Sequence, residues 1–150
     1  FGGGMDVTPS KKDEVEKKEF HKILRNMCNR HNKTYYLKYK KWCDEYFYLP
    51  HRKEPRGIGG IFFDYKKDNF DKNFKFVRDV GVTFQFIFEK IIKRKIKKKW
   101  TIKDKEIQYI KRGRYTEFNL LYDRGTKFGL QTGGNIDGIL MSLPPLAKWK

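Results

Sequence analysis

Hydrophobic residues in the first third of the chain recur at helical spacing in two segments. In the first segment Ser10 is the candidate N-terminal cap, with Asp13 three residues later, and the helix should end near residues 29–32. In the second segment, residues 35–46, aromatic residues share one face until Leu49-Pro50 stops the helix. The apolar positions are Val15, Phe20, Ile23, Leu24, Met27 and Cys28 in the first helix, and Tyr35, Tyr39, Trp42, Cys43 and Tyr46 in the second.

The middle of the chain changes from a strand pattern to a long helical one. Residues 57–65 combine glycines with an apolar run, which predicts a short buried strand. Residues 66–73 are polar and predict a loop. Helical spacing from about residue 74 to residue 99 then predicts a long helix. Its predicted inward positions are Phe76, Val80, Phe84, Ile87, Phe88, Ile91 and Ile92.

The last third predicts one more helix followed by short strands. Thr101, with Asp104 three residues on, caps a helix that Gly113 should end. Residues 115–122 and 128–130 predict strands, separated by a turn at residues 123–126. A second turn is predicted at residues 132–135, and residues 136–143 fit a helix or a strand before Pro144-Pro145. The sum is an α+β unit whose few strands need partners to close a sheet.

Composition narrows the class of protein. The 150 residues are 38% hydrophobic and 17% aromatic, which excludes simple disorder. No apolar run reaches the roughly 18 residues that a membrane-spanning helix needs. Two cysteines are too few for a disulfide scaffold, so a reduced intracellular setting is the default. The glycine run at residues 2–4 is typical of a loop, and the chain opens on Phe1; we expect it to be a fragment of a longer protein.

The positive charge is concentrated in one segment. The formal net charge is +17, and residues 90–114 hold twelve Lys or Arg against two acids, Asp104 and Glu106. We favour a solvated helix surface for this segment, since charge runs usually face water. The alternative is a site for a polyanion, either nucleic acid or an acidic membrane surface.

Arginines and glycines supply the candidate chemistry. Residues 51–57, from His51 to Gly57, are dense in charge, and guanidinium groups match carboxylates in a two-point fork. Asp123 and Arg124 follow a predicted strand, where they either contact a ligand or only shape a turn. No Walker loop, dinucleotide glycine pattern, nucleophile elbow or paired-histidine metal motif is present. The residues indicate a basic cleft for an acidic ligand and do not specify a reaction.

Four segments resemble the oxygen-dependent coproporphyrinogen III oxidase family. Residues 1–9 read Phe-Gly-Gly-Gly-Met-Asp-Val-Thr-Pro, and residues 39–64 include Tyr-Lys-Lys-Trp-Cys-Asp-Glu-Tyr-Phe and Arg-Gly-Ile-Gly-Gly-Ile-Phe-Phe-Asp. Residues 112–130 include Arg-Gly-Arg-Tyr-Thr-Glu-Phe-Asn-Leu-Leu-Tyr-Asp-Arg-Gly-Thr. Residues 139–149 read Ile-Leu-Met-Ser-Leu-Pro-Pro-Leu-Ala-Lys-Trp. The matches are ordered and nearly gapless.

The resemblance implies a fold and an activity. The family converts coproporphyrinogen III to protoporphyrinogen IX by oxidative decarboxylation of two propionates, with molecular oxygen as co-substrate and no cofactor. Its fold is a large flat antiparallel sheet with helices on both faces, and the enzyme is a homodimer. Residues 1–150 would be the C-terminal part of this single domain, with the N-terminal part absent. A cytoplasmic location is expected, with plastid or mitochondrial intermembrane space as alternatives.

The resemblance also implies roles for individual residues. Asp6, Asp123 and Arg124 are the candidate catalytic residues, the two aspartates contacting pyrrole N–H groups. Arg56 and Arg124 are the candidate propionate clamps. The remaining candidates for substrate binding are His51, Gly133, Gly134 and Asn135, the last standing where many members have Arg. His21 and His51 match positions sometimes assigned as metal ligands, and we favour no metal.

Two other functions remain open from the sequence. One is a catalytically incomplete fragment or pseudo-enzyme that binds porphyrinogen or only dimerises, which Asn135 favours. The other is a nucleic-acid-binding module that uses residues 90–114. We expect no nucleic-acid partner, because the chain carries no known RNA-binding signature.

Overall fold

The computed structural model of the chain describes residues 1–150, which divide into two compact units. The first unit is Phe1–Lys99 and the second is Trp100–Lys150. No helix is both long and apolar enough to cross a membrane.

The first unit combines three helices with two small antiparallel sheets. Strand β1 pairs with β4, with Met5 opposite Ile61 and Asp6 opposite Gly60, and β2 pairs with β3. A 3-10 turn, Pro50–Arg52, follows β2. In chain order the elements are β1 (Gly3–Asp6), α1 (Glu14–His31), α2 (Tyr35–Tyr46), β2 (Tyr48–Leu49), β3 (Glu54–Pro55), β4 (Gly60–Phe63) and α3 (Phe70–Lys95).

The first two predicted helices are confirmed, with one correction at the cap. Helix α2 has the predicted bounds, and α1 ends at His31 within the predicted range. The cap of α1 is Asp13 rather than Ser10: its backbone is extended, and its carboxylate accepts a hydrogen bond from the Glu16 amide at 3.0 Å. Aspartate and serine are similarly good N-terminal caps, so residue type alone does not distinguish Ser10 from Asp13. The glycine run predicted as loop is also corrected, because Gly3 and Gly4 belong to β1.

The core of the first unit lies between the three helices and the β1–β4 sheet. Tyr39, Phe63 and Phe76 meet there, with ring centroids 5.0 to 5.8 Å apart in tilted arrangements. Such contacts add to the stabilisation from burying apolar area. The other buried hydrophobic residues of the cluster are Met5, Phe20, Leu24, Met27, Cys28, Tyr35, Tyr36, Ile61, Val80 and Ile87.

Helix α3 starts earlier than predicted and presents a different face. Asn69 caps it by accepting from the Lys72 amide at 2.9 Å, so part of the predicted loop is helical. Phe84 and Phe88, predicted inward, are exposed. The buried positions are instead Asn73, Phe76, Val80, Thr83 and Ile87. Apolar residues lie on two faces of α3, and packing against α1, α2 and the β1–β4 sheet decides which face is buried. Ile92 is exposed for the same reason.

The second unit contains helices only. They are α4 (Ile102–Leu121), α5 (Arg124–Gln131) and α6 (Ile136–Leu140). The predicted start of α4 is confirmed: Thr101 and Asp104 form a reciprocal capping box. The turn predicted at residues 132–135 is confirmed, and residues 136–140 are helical.

The strands predicted at residues 115–122 and 128–130 are wrong, because both segments are helical. Tyr115, Phe118 and Tyr122 fit helical spacing as well as alternation, and a helix already nucleated upstream continues through such a segment. Gly113 does not end α4. A β-carbon there would lie 2.4 Å from the Lys148 carbonyl oxygen, so the glycine permits close backbone approach. The whole chain is therefore mixed helix and small antiparallel sheet, compatible with the α+β class.

Candidate functional site

Asp6 and Arg56, fifty residues apart in the chain, form an ion pair at the end of β1. The Arg56 side chain is 8% exposed and that of Asp6 is 22% exposed. The guanidinium carbon also lies 3.9 Å from the centroid of the Phe47 ring. A guanidinium held by a carboxylate and an aromatic face is fixed in orientation, which suits it to recognise a planar acidic group.

Backbone contacts hold the Arg56 loop against β1. The Ile58 amide donates to the Val7 carbonyl at 2.9 Å, and the Arg56 amide donates to the Phe47 carbonyl at 2.9 Å. A β-carbon on Gly60 would lie 1.9 Å from the Met5 carbonyl oxygen, and one on Gly57 would lie 2.3 Å from that of Val7. Glycine at these two positions is what lets the loop approach the strand closely enough for Arg56 to reach Asp6.

A cavity of about 330 Å³ opens beside this ion pair. Its charged lining residues are Asp6, Lys17, Lys40, Asp44 and Arg56, so cations outnumber carboxylates by one. Lys40 and Asp44 form an i,i+4 ion pair on α2. The remaining lining residues are Cys43, Phe47, Tyr48, Pro55, Gly57, Ile58 and Gly59.

His21 contacts the wall of this cavity without facing open solvent. Its Nε2 lies 2.9 Å from the Ile58 carbonyl oxygen, and its Nδ1 lies 3.1 Å from the Tyr36 hydroxyl. Burial lowers the pKa of His21, and the positive charge of Lys40 acts in the same direction. Both ring nitrogens are engaged, so His21 would have to break a contact to bind a metal ion.

Neither His51 nor Cys43 adds a metal ligand or a nucleophile to this cavity. His51 lies on the exposed 3-10 turn between β2 and β3. No group of three or more His, Cys, Asp or Glu side chains is arranged to share a metal ion. Cys43 lines the cavity, but burial raises the pKa of its thiol to about 12, so it is a neutral thiol and a poor nucleophile near neutral pH.

Asp123 and Arg124 lie at the start of α5 in the second unit. The Asp123 carboxylate caps the helix by accepting from the Thr126 amide at 2.7 Å. Arg124 is the first helical residue and is exposed. The helix therefore positions these two side chains at one end, the carboxylate half-buried and the guanidinium toward solvent.

Gly133, Gly134 and Asn135 form the exposed turn between α5 and α6. Gly133 has φ of +71°, a left-handed conformation that favours glycine. The Gly134 amide donates to the Gly129 carbonyl at 2.9 Å, which closes the turn. Asn135 accepts from the Gly138 amide at 3.2 Å and caps α6. The Asn135 side chain is thus used as a local helix cap.

The predicted site residues fall into both units. The structure brings Asp6 and Arg56 together, and it places His21 at the edge of their cavity. Sequence reasoning missed Lys17 and Lys40, which line the cavity from α1 and α2. The spacing of Lys40 and Asp44 signalled their ion pair, whereas nothing in the sequence placed Lys17 near Arg56. The cavity can attract an acidic group and holds a carboxylate able to accept a hydrogen bond.

Comparison with known proteins identifies the family of this chain. A family model described as Coproporphyrinogen III oxidase matches residues 1–150. The oxygen-dependent coproporphyrinogen-III oxidase of Rickettsia bellii (strain OSU 85-389) is 55% identical over 150 residues, which cover 99% of this chain and 54% of the relative. Those of Rickettsia akari (strain Hartford) and Rickettsia rickettsii (strain Sheila Smith) are each 54% identical with the same coverage. The chain spans about half the length of the curated relatives it matches, and it belongs to the coproporphyrinogen III oxidase family.

Proposed function

We propose that this chain forms part of an enzyme for the oxygen-dependent oxidative decarboxylation of coproporphyrinogen III to protoporphyrinogen IX, a step of haem biosynthesis. The family match over residues 1–150 carries the proposal, and that range includes the whole Asp6–Arg56 cavity. A substrate with four carboxylates fits a cavity in which cations outnumber carboxylates.

Each of the two turnovers converts one propionate to a vinyl group. The carboxylate carbon leaves as carbon dioxide, and the adjacent carbons lose a proton and two electrons as their double bond forms. Molecular oxygen accepts the two electrons, and with two protons it becomes hydrogen peroxide. The propionate arm itself supplies both electrons, and we propose oxygen as co-substrate with no metal or organic cofactor.

Arg56 and Asp6 act as one electrostatic unit in this proposal. The guanidinium attracts a propionate, and the carboxylate attracts a pyrrole N–H group. A carboxylate at that place stabilises positive charge as the ring is oxidised, or accepts its proton. Asp123 and Arg124 have the same two roles at the start of α5. Gly133, Gly134, Asn135 and His51 provide further substrate contacts through backbone and side-chain polar groups.

The partner in the assembly is a second copy of the chain. Helix α3 exposes two stacked aromatic pairs, Phe70 with Phe74 and Phe84 with Phe88. Gly81 lies between the pairs, and a β-carbon there would meet nothing within 4 Å. Phe74 and Phe88 are each two turns, or about 10 Å, from Gly81. An antiparallel pair of α3 helices crossing at Gly81 would therefore place Phe74 of each copy opposite Phe88 of the other.

The homodimer is tested by the molar mass of the purified protein in solution. Phe88→Glu is expected to shift the mass toward the monomer because it buries a charge between the helices. Leu37→Glu, at an exposed leucine on α2, is the control and should leave the mass unchanged. An unchanged mass for Phe88→Glu would exclude this face as the interface.

We also propose how the chain fits into the family's domain and in which cellular compartment it is found. Residues 1–150 would form the C-terminal part of one domain, in which β1 and β4 join the family's large flat antiparallel sheet. A two-stranded sheet is marginal alone, which supports additional partner strands. The bacterial origin of the Rickettsia relatives supports a cytoplasmic location over the plastid or mitochondrial alternatives.

A catalytically incomplete protein is the second candidate function. Asn135 replaces a carboxylate-binding guanidinium and is engaged as the cap of α6. Such a protein would bind porphyrinogen without converting it.

Turnover distinguishes the two candidates. Coproporphyrinogen III is supplied under anaerobic conditions, oxygen is admitted, and protoporphyrin fluorescence is followed after oxidation of the product. The Rickettsia bellii enzyme is the positive control, and the chain is assayed alone and within a polypeptide of the relatives' full length. Turnover by the long polypeptide supports the enzyme, whereas binding without turnover there favours the incomplete protein. The absence of both binding and turnover would overturn both candidate functions.

A further inference from the structure

We propose that Lys17 binds a carboxylate arm of the ligand that enters the Asp6–Arg56 cavity, an inference that rests on the proposed function. Lys17 lies on α1, outside the segments that resemble the family motifs. It would add a cation to the part of the substrate site that the first unit forms.

The helix geometry directs Lys17 toward the cavity. It is half-buried and lies four residues before His21, so the two side chains share one face of α1. His21 contacts the Ile58 carbonyl, and Ile58 and Gly59 belong to the cavity lining along with Lys17. Lys17 therefore lies one helical turn from His21 and lines the same cavity.

The charges around the cavity single out Lys17. Arg56 is paired with Asp6, and Lys40 is paired with Asp44. Lys17 alone among the five charged lining residues has no ion-pair partner. A ligand carboxylate in the cavity would supply the counter-ion that Lys17 lacks and would accept a charge-assisted hydrogen bond from its ammonium group.

The size of the cavity sets how much of the ligand it holds. About 330 Å³ is near the lower end of the roughly 300 to 1,000 Å³ typical of small-molecule sites. A tetrapyrrole with four arms exceeds that space, so the cavity would hold one arm and the adjoining ring. Phe47, Pro55 and Ile58 supply apolar walls for the ring, and Lys17 is a lining cation available to the carboxylate of the arm.

Binding of coproporphyrin III, the air-stable tetracarboxylate form of the substrate, tests the inference by fluorescence titration. Lys17→Met should raise its Kd about tenfold, since a charge-assisted hydrogen bond is lost. Lys17→Arg should restore most of the affinity. Lys18→Met, at the exposed neighbouring lysine, is the matched control and should leave Kd unchanged. Equal affinity of Lys17→Met and the unmodified protein would overturn the inference while the proposed function stands.

A second probe separates failure of the inference from failure of the function. Propionate is titrated into the protein while the ¹³Cε signal of Lys17, assigned through Lys17→Arg, is followed by NMR. If the unmodified protein binds no coproporphyrin, the proposed function fails. In that case a saturable shift of the Lys17 signal still supports a carboxylate site, and no shift overturns it.

Discussion

Removing one partner of the Asp6–Arg56 pair should destabilise the first unit more than removing both. Asp6→Asn leaves the Arg56 guanidinium buried without its carboxylate. Breaking a buried ion pair typically costs about 3 to 5 kcal/mol. Because Asp6 remains 22% exposed, water relieves part of that cost, and we expect a loss near the lower end, about 3 kcal/mol. The double variant Asp6→Asn/Arg56→Met should recover more than half of the loss, since the buried guanidinium is then removed together with its carboxylate partner.

Urea unfolding measures this effect when the fluorescence reports only on the first unit. The chain has three tryptophans, and only Trp42 lies in that unit. In a background of Trp100→Phe and Trp149→Phe, Trp42 reports through its edge contact with Phe62 at 5.7 Å. A loss below about 0.5 kcal/mol for Asp6→Asn, the range of ordinary surface substitutions, would refute the structural role of the pair. So would a double variant no more stable than the single one.

Three further predictions concern charge, close packing and thiol chemistry. Hydrogen bonds from Arg94 and Lys90 lower the pKa of the Glu19 carboxyl from 4.5 to about 2. The stabilising contribution of Glu19 is therefore present above pH 4.5 and disappears as the pH falls toward 2. The difference in urea midpoint between the unmodified protein and Glu19→Gln should vanish over that range. Gly113→Ala should destabilise the second unit by about 1 to 3 kcal/mol through its backbone clash, and calorimetry showing no destabilisation would contradict the packing argument. Burial raises the pKa of both the Cys28 and the Cys43 thiol to about 12. Neither thiol should therefore react with iodoacetamide at pH 8 until urea unfolds the chain. Rapid labelling of the folded protein would contradict the burial of these side chains.

The sequence correctly predicts the helix ends that depend on interactions between neighbouring residues. The bounds of α2 follow from its aromatic face and the proline after it. The start of α4 follows from the capping box at Thr101, which involves only residues within one turn. Residues 115–122 were misassigned because eight residues fit both a helical and an alternating period, and continuation of an existing helix decides between them.

Sequence patterns are sufficient to predict helices α1 and α2, the family resemblance and the residues available to an acidic ligand. The buried face of α3 depends on tertiary contacts, because the helix carries apolar residues on two faces and packing against α1, α2 and the β1–β4 sheet selects one of them. Tertiary structure also decided the composition of the cavity. Asp6, Lys17 and Arg56 lie on different elements, and their proximity depends on the β1–β4 register and on glycines that allow close backbone approach. Such long-range contacts leave no periodic mark in the chain, so no local pattern encodes them.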